Sequence, residues 1–364
     1  MRIGVLATSL QGHDGWSDYA RHVALALIAE GQEVVALTQD ITPEVTVPQV
    51  ACLPKIAPLG RKQVLRLRGA RQKAHQALLG CDVVHVLAEP YALLGAWLAG
   101  NRPFFITGHG TYVNLPRMTR LIPFHWGYRW AFAKSSLICV SHYTASVAKA
   151  VMPALKTHVI TNGIDANERP YTLSSSKTSR IILTSGGIKP RKGTLELVNA
   201  LASVRDVLPD VQCYIVGNAP DNAYTGRVKD AIATHHLQEN VHLTGFISQE
   251  ALRQHYAEAD VFVMPSINEG FNFEGFGLVH LQAGLAGLPT IGTKGCGAED
   301  AIIDGQTGML LSQDTLRDTL APAILRLLQH PDEAQHLGQN GRAYALTQSW
   351  ERVAQAMISV YSRR

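Results

Sequence analysis

The strongest constraint on this chain is a short apolar run, a glycine-containing loop, a helix and a second apolar run, in immediate succession. The run Ile3–Ala7 is followed by the loop Gln11–Trp16, with Ser17 read as the helix N-cap. Ala20, Val23, Ala24 and Leu27 then recur at helical spacing, Gly31 ends the helix, and Val34–Leu37 forms the next run. A strand, a helix and a strand so closely joined make a βαβ unit, which needs a parallel sheet with helices on its faces. Further strands are expected at Val83–Val86, Phe104–Thr107, Leu137–Val140 and His158–Thr161.

The pattern breaks over 166–180, a polar segment with Pro170 and the run Ser174, Ser175, Ser176, which reads as a linker. It resumes with Ile181–Thr184, a glycine loop and a helix from about Gly193. Strands follow at Cys213–Val216, Val241–Leu243, Val261–Met264 and Pro289–Ile291. Two doubly wound α/β domains facing each other are therefore expected, one over 1–168 and one over 169–346. Ligands of such sheets lie at the carboxyl ends of the strands, here in a cleft between the halves. The remaining 347–364 contains an amphipathic stretch, Trp350–Tyr361, expected to cross back and pack on the first domain.

Composition narrows the function classes. A chain of 364 residues suits two domains, and 46% hydrophobic against 17% charged residues excludes a disordered or fibrous chain. The net charge of +4 is too small for a dedicated nucleic-acid binder, so no nucleic-acid partner is expected. The first residues lack the features of a signal peptide, and no stretch approaches the ~20 apolar residues of a membrane span. A cytoplasmic protein is expected. Cys52, Cys81, Cys139, Cys213 and Cys296 are not at metal-ligand spacing and read as buried free thiols in a reducing compartment. No Asp-x-Asp triplet occurs, and no metal site is expected; Glu258-Ala-Asp260 comes nearest but precedes a buried strand. Gly275-Phe-Gly277-Leu-Val-His280 fails the G-x-G-x-x-G pattern at its last place, which disfavours a nicotinamide enzyme.

The chemistry concentrates in Pro265–Leu310. After a strand ending at Met264 comes a loop with Glu269, Gly270, Gly275 and Gly277, and then an apolar helix beginning near Phe276. Glu274 stands just before that helix and Gln282 about two turns into it. Leu278, Leu281 and Leu285 mark its buried face, while His280 and Gln282 are polar residues that need partners if buried. The amides of Phe276, Gly277 and Leu278 at the helix start suit a phosphate. Taken alone, the loop reads more readily as a glycine turn with a helix-capping acid.

The run PSINEGFNFEGFGLVHLQAGLAGLPTIGTKGCGAEDAI (265–302) resembles the retaining glycosyltransferases of family 4. VSHYTASVAKA (140–150), VITNGID (159–165), GGIKPRKGTLELVNAL (186–201) and SWE (349–351) extend the likeness over nearly the whole chain. The resemblance implies a GT-B fold, two Rossmann-like domains around a central cleft, and a nucleotide-diphosphate sugar as donor. It implies that Glu274 lies near the donor-sugar hydroxyls and Lys192 at the diphosphate. Gln282 stands where relatives carry a glutamate that binds ribose; its amide can still accept and donate hydrogen bonds. Gly187 stands where relatives often carry an arginine, and Arg191 is the candidate replacement. In the first strand–helix loop, Asp14 and Gly15 occupy the place of a Gly-Gly pair close to the diphosphate, and an aspartate there is poorly suited to an anion. His109, within Thr107-Gly-His-Gly-Thr111, matches a histidine at the donor sugar, and an imidazole donates when neutral or carries charge near pH 7. A plain solvated basic loop at 189–192 and a plain strand–helix turn at 11–16 are the structural alternatives.

Two further patches stand out. Arg61–Lys73 reads as a helix with Leu67, Ala70, Ala74 and Ala77 on an apolar stripe and Arg61, Lys62, Arg66, Arg68 and Lys73 mostly off it, which suits either solvent or an anionic lipid surface. The stretch 117–134 mixes Arg117, Arg120 and Arg129 with Trp126, Tyr128, Trp130 and Phe132. The expectation is a retaining, metal-independent hexosyltransferase without a cofactor, taking a UDP-sugar in preference to a GDP-sugar. Its acceptor would be a glycan or lipid-linked molecule in cell-surface or exopolysaccharide synthesis, with peripheral contact at the inner membrane face through 61–73. The alternatives are an inactive nucleotide-sugar-binding partner of the same fold, motivated by Gly187 and Gln282, and a dehydrogenase on a Rossmann scaffold.

Overall fold

The computed structural model describes residues 1–12, 14–56, 58–118, 122, 124–165 and 180–363. The expected linker falls almost wholly at 166–179, and it and Arg120 are outside the described residues. The chain divides into two compact units, Met1–Gly163 with Ser349–Arg364, and Ile164–Gln348.

The first unit runs β1 (Arg2–Leu6), α1 (Gly15–Ala29), β2 (Glu33–Thr38), β3 (Gln49–Ala51), α2 (Arg61–Ala77), β4 (Val83–Val86), α3 (Ala92–Ala99), β5 (Phe104–Gly108), α4 (Phe124–Lys134), β6 (Ser136–Cys139), α5 (His142–Val151) and β7 (Lys156–Val159). These strands form one parallel sheet in the order β3-β2-β1-β4-β5-β6-β7. The second unit runs β8 (Ile181–Ser185), α6 (Thr194–Val207), β9 (Gln212–Val216), α7 (Ala223–Thr234), β10 (Val241–Gly245), α8 (Gln249–Glu258), β11 (Val261–Val263), α9 (Leu278–Leu285), β12 (Thr290–Thr293), β13 (Gly308–Leu311), α10 (Leu316–Gln329) and α11 (Pro331–Thr347). Its sheet is also parallel, in the order β10-β9-β8-β11-β12-β13. The last helix, α12 (Trp350–Ser362), belongs to the first unit and packs on α1.

Strand alternation builds a three-layer second unit. Ile182, Val261 and Val263 pack under α6, α7 and α10, whereas Leu183, Phe262 and Met264 face Tyr256 and Ala283 on the opposite side. Residues buried on both faces are what a parallel sheet requires. In the first unit the returning helix is fixed by stacking and by a buried polar chain. The Trp350 ring stacks on His22 at 4.9 Å between centroids. The Tyr361 hydroxyl lies 2.7 Å from His85 Nδ1, and His85 Nε2 lies 2.9 Å from Thr107 Oγ1. His85 is fully buried, and burial lowers its pKa to about 3, so the ring is neutral at pH 7.

The structure corrects the sequence in three places. The N-cap of α1 is Asp14, not Ser17: the Asp14 carboxylate accepts from the Trp16 and Ser17 amides, and the Ser17 hydroxyl accepts from the Asp14 amide. This reciprocal capping box makes Gly15 the first helical residue. Two strands have too little apolar signal to be read from pattern alone: β3 follows Pro48 and has three residues, and β13 is the four-residue run GMLL. The third correction, the start of α9, belongs to the site.

Replacing Tyr361 with Phe leaves a buried imidazole nitrogen without its partner. Its expected cost is about 1–3 kcal/mol, read as a lowered urea midpoint with an unchanged m-value.

Candidate active site

In both sheets the strand order reverses next to the first strand of the unit. β8 is followed outward by β9 and β10 on one side and by β11, β12 and β13 on the other. Loops leaving the carboxyl ends of β8 and β11 therefore diverge and leave a crevice. The loop after β8 carries Gly186 to Lys192, ending in a 3-10 turn over Pro190–Lys192. The loop after β11 carries Met264 to Gly277. The Ile267 amide donates to the Arg191 carbonyl at 3.1 Å and ties the two loops together.

Three predicted site residues meet there. Lys192 Nζ lies 3.1 Å from Glu274 Oε2, and the Arg191 guanidinium pairs with the same oxygen. Lys192 is 9% exposed and Glu274 8%, so this cluster is shielded from solvent. Burial by itself would push the Glu274 carboxyl up, but Arg191 and Lys192 more than offset it and hold the pKa at about 2. Lys192 is shifted down, first by its own burial, with Glu274 opposing. The carboxylate is thus a fixed negative charge at any pH near neutrality and a weak base. Arg191, the candidate replacement for the arginine missing at Gly187, reaches the same acid as Lys192.

The helix after this loop begins at Leu278, two residues later than its sequence suggested. Gly277 is its cap, in a left-handed conformation (φ +82°), and no side chain caps the helix start. A β-carbon at Gly277 would stand 2.9 Å from the His280 ring, so glycine is required by both conformation and space. The first-turn amides of α9, beside Phe276, Gly277 and Leu278, therefore carry no side-chain acceptor, as an anion site needs. Gln282 is half-buried and one turn into α9, not two. Leu281 and Leu285 are buried as expected, but Leu278 is only half-buried and His280 takes the inner position. His280 was expected to have a partner. Neither ring nitrogen has a hydrogen-bond partner among the described residues; the ring sits edge-on to Phe262 at 5.4 Å, and burial lowers its pKa to about 3.

Gly187 explains why no arginine stands at its position. Its φ is +79°, and a β-carbon there would lie 2.8 Å from the Asn218 carbonyl oxygen. The loop is built on a backbone-to-backbone approach at this point, with the Gly187 amide donating to the Val216 carbonyl at 3.1 Å. Guanidinium charge comes from Arg191 instead.

The first unit places its candidates at the matching reversal, beside β1 and β4. Gly15 is exposed at the start of α1, and Asp14 caps that helix, occupying the amides that an anion would otherwise use. His109 follows β5. Its Nε2 donates to the Leu87 carbonyl at 2.9 Å, which leaves Nδ1 as the acceptor. Burial lowers its pKa to about 4, with the Leu87 bond and Asp14 opposing, so the ring is neutral and not the charged group allowed for in the sequence. Sequence reasoning missed Glu89. This residue, in the turn Glu89–Tyr91 after β4, is fully buried and accepts from the His109 amide at 2.7 Å and the Trp16 indole at 3.1 Å. The available signal was an acid placed directly between an apolar strand and a proline.

The Gly187 geometry carries a test. Gly187→Arg should lower stability by about 1–3 kcal/mol and leave nucleotide affinity unimproved, as read by thermal unfolding and calorimetric titration.

Comparison with known proteins agrees with this architecture. Residues 167–344 match the family described as glycosyl transferases group 1, and residues 14–168 match glycosyltransferase family 4. The chain is 30% identical over 281 residues to the GDP-mannose-dependent alpha-(1-6)-phosphatidylinositol monomannoside mannosyltransferase of Mycolicibacterium smegmatis, covering 72% of this chain and 71% of that protein. It is 31% identical over 288 residues to the Mycobacterium tuberculosis protein of the same description, covering 73% and 72%. Among solved structures, sucrose-phosphate synthase from Thermosynechococcus elongatus superposes with a TM-score of 0.81 at 22% identity, over 99% of this chain and 98% of that one. Anabaena HepE in complex with UDP-glucose gives 0.79 at 19% identity over the whole of both chains. These structural likenesses establish the fold, GT-B. With sequence and fold in agreement, the chain belongs to the group 1 glycosyltransferases.

Proposed function

We propose that the protein transfers a hexose from a nucleoside-diphosphate sugar to a hydroxyl acceptor with retention of configuration, without a metal ion. The observation that carries this reading is the convergence of Arg191 and Lys192 on Glu274 beside the α9 amides, which lack a side-chain cap. A departing diphosphate develops negative charge, and two fixed cations with a helix N-terminus stabilise it without reorganisation. Glu274 orients those cations and accepts from sugar hydroxyls. Held at a pKa of about 2, it is too weak a base to take the acceptor proton. That supports a front-face reaction in which an oxygen of the leaving phosphate takes the proton. His109 offers an acceptor nitrogen to a sugar hydroxyl, and Gln282 offers its amide to the ribose.

The sequence expectation for the donor is a UDP-sugar. A second reading is GDP-mannose, favoured by the GDP-mannose-dependent relatives at 30–31% identity. For the acceptor, we read a lipid-linked or glycan hydroxyl at the inner membrane face, in cell-surface or exopolysaccharide synthesis. Support comes from one side of the first unit, where α2 packs on α3 and α3 on α4. Helix α2 carries Arg61, Lys62, Arg66, Arg68, Arg71 and Lys73, α4 adds Arg129, and none of the three helices has a carboxylate. Leu65, Trp126 and Trp130 are exposed on the same helices. Cations beside exposed aromatics suit an anionic bilayer surface. Among the described residues no helix is long and apolar enough to cross a membrane.

Thermal shifts with UDP, GDP and ADP, followed by turnover of the matching sugar donors with and without chelator, test the reading. One nucleotide should stabilise the protein, and chelator should leave turnover unchanged. Lys192→Ala should lower kcat/KM about 100-fold or more, and Glu274→Ala should do likewise. Full activity in both variants overturns the site assignment. Binding without turnover across acceptors favours an inactive partner.

Sedimentation with phosphatidylcholine vesicles containing phosphatidylglycerol tests the surface. Binding should weaken from about 0.1 M to about 1 M salt and fall in the Arg66→Glu/Arg68→Glu variant. No binding at low salt removes the membrane reading.

A further inference from the structure

The turn after β4 holds a carboxylate that the transfer chemistry above does not use. Glu89 is fully buried, and burial is unfavourable to its charge. Its two oxygens nevertheless serve two different segments, a loop and a helix start. Oε1 accepts from the backbone amide of His109, after β5, at 2.7 Å. Oε2 accepts from the Trp16 indole, in the first turn of α1, at 3.1 Å. The same two segments also touch directly: Trp16 packs against Tyr112 at 5.2 Å, and Tyr19 meets His109 edge-on at 4.6 Å. β1 and β4 are neighbours at the strand-order reversal, so Glu89 bridges the place where their loops separate.

We propose that Glu89 is a positioning residue whose ionised carboxylate clamps the His109 loop to the first turn of α1. The inference rests on the transferase reading only for the role of His109; the clamp stands on the two hydrogen bonds.

The geometry selects the charged form. A carboxylate is acceptor-only at both oxygens, and both face N–H donors. Protonation turns one oxygen into a donor aimed at a donor, and one of the two bonds is lost. Burial works in the opposite direction and is the larger effect: it raises the Glu89 pKa to about 7, with the bonds from His109, its own backbone amide and Trp16 holding it back. The titratable groups around the site are Tyr19 on α1, His109 after β5, His85 on β4, Cys139 on β6 and Asp14 at the α1 cap. The two histidines are neutral near pH 7. Burial raises Tyr19 and Cys139, so both stay protonated there. Among the described residues no cation pairs with Glu89. The clamp therefore closes as pH rises through neutrality.

The stability linkage has a definite sign. The folded-state pKa lies above the ordinary value of 4.5, so the unfolded chain releases this proton first. Stability from the protonated, buried group is fully present below about 4.5 and is lost as pH rises towards about 7.

The experiment follows the Trp16 indole ¹H–¹⁵N resonance of the full chain across pH, assigned by its loss in Trp16→Phe. It should titrate with a midpoint near 7 and become flat in Glu89→Gln. The melting temperature of Glu89→Gln relative to the parent should rise between about pH 5 and about pH 8. In Trp16→Phe, which removes one donor to the carboxylate, the midpoint read from the His109 amide should move upward. That variant serves if Glu89→Gln does not fold. With the donor that supports turnover, Glu89→Gln should lower kcat about 10- to 100-fold with little change in donor KM and should flatten the acid limb of the pH profile. A Trp16 resonance that does not move through neutrality, or that titrates unchanged in Glu89→Gln, overturns the clamp. Parental kcat in Glu89→Gln also overturns the positioning role. Absence of turnover in the parent protein would count against the transferase reading, while a Glu89-dependent Trp16 titration would still uphold the clamp.

Discussion

The carboxylate of Glu274, shared between Arg191 and Lys192, is the interaction on which the candidate site depends. Glu274 and Lys192 are buried and Arg191 is half-buried, so burial opposes the charges that the attraction holds together; for Lys192 burial is the larger effect. For Glu274 the attraction is the larger, and its pKa falls despite burial. Removing Glu274 leaves two cations facing each other without their shared anion, whereas removing either cation leaves the other still paired with the acid. The cluster also keeps two cations oriented, which is what the proposed diphosphate leaving group, with its developing negative charge, would need.

That cluster depends on backbone that only glycine permits. Gly187 lets the loop after β8 lie against Asn218, and Gly277 lets the loop after β11 enter α9 without a side chain meeting His280. The first brings Arg191 and Lys192 to the crevice, and the second frees the amides of the helix start. At Gly187, which from sequence looked like loss of a functional arginine, a side chain would meet the Asn218 backbone, and the guanidinium that reaches the acid is that of Arg191.

Buried ionisable groups divide by what surrounds them. His85 is satisfied by Tyr361 and Thr107 and serves the core, tying the returning helix to the sheet. His280 has neither nitrogen paired among the described residues and is neutral beside the acid cluster. Glu89 has N–H donors but no cation beside it among the described residues, so hydrogen bonds only partly offset burial and its pKa stays raised, at about 7. The differences lie in the partners, since all three side chains are nearly inaccessible.

Sequence by itself determined the alternation of strand and helix, because periodicities of 2 and 3.6 report burial locally. It also determined the two-unit plan, the return of the last helix, and the identity of Glu274, Lys192 and His109 as candidates through their setting in recognisable runs. Strand ends shifted by a residue or two, and β3 and β13 were invisible, because three or four residues carry too little pattern. Only the tertiary structure decided which cap begins α1, since Asp14 and Ser17 are both good capping residues and the choice depends on the amides each reaches. It alone placed Arg191 on Glu274 and set the tautomer of His109. It alone revealed Glu89, for a reason that is physical: the sequence separations to His109 and Trp16 are 20 and 73 residues, and nothing local records a bond closed by the folding of a sheet.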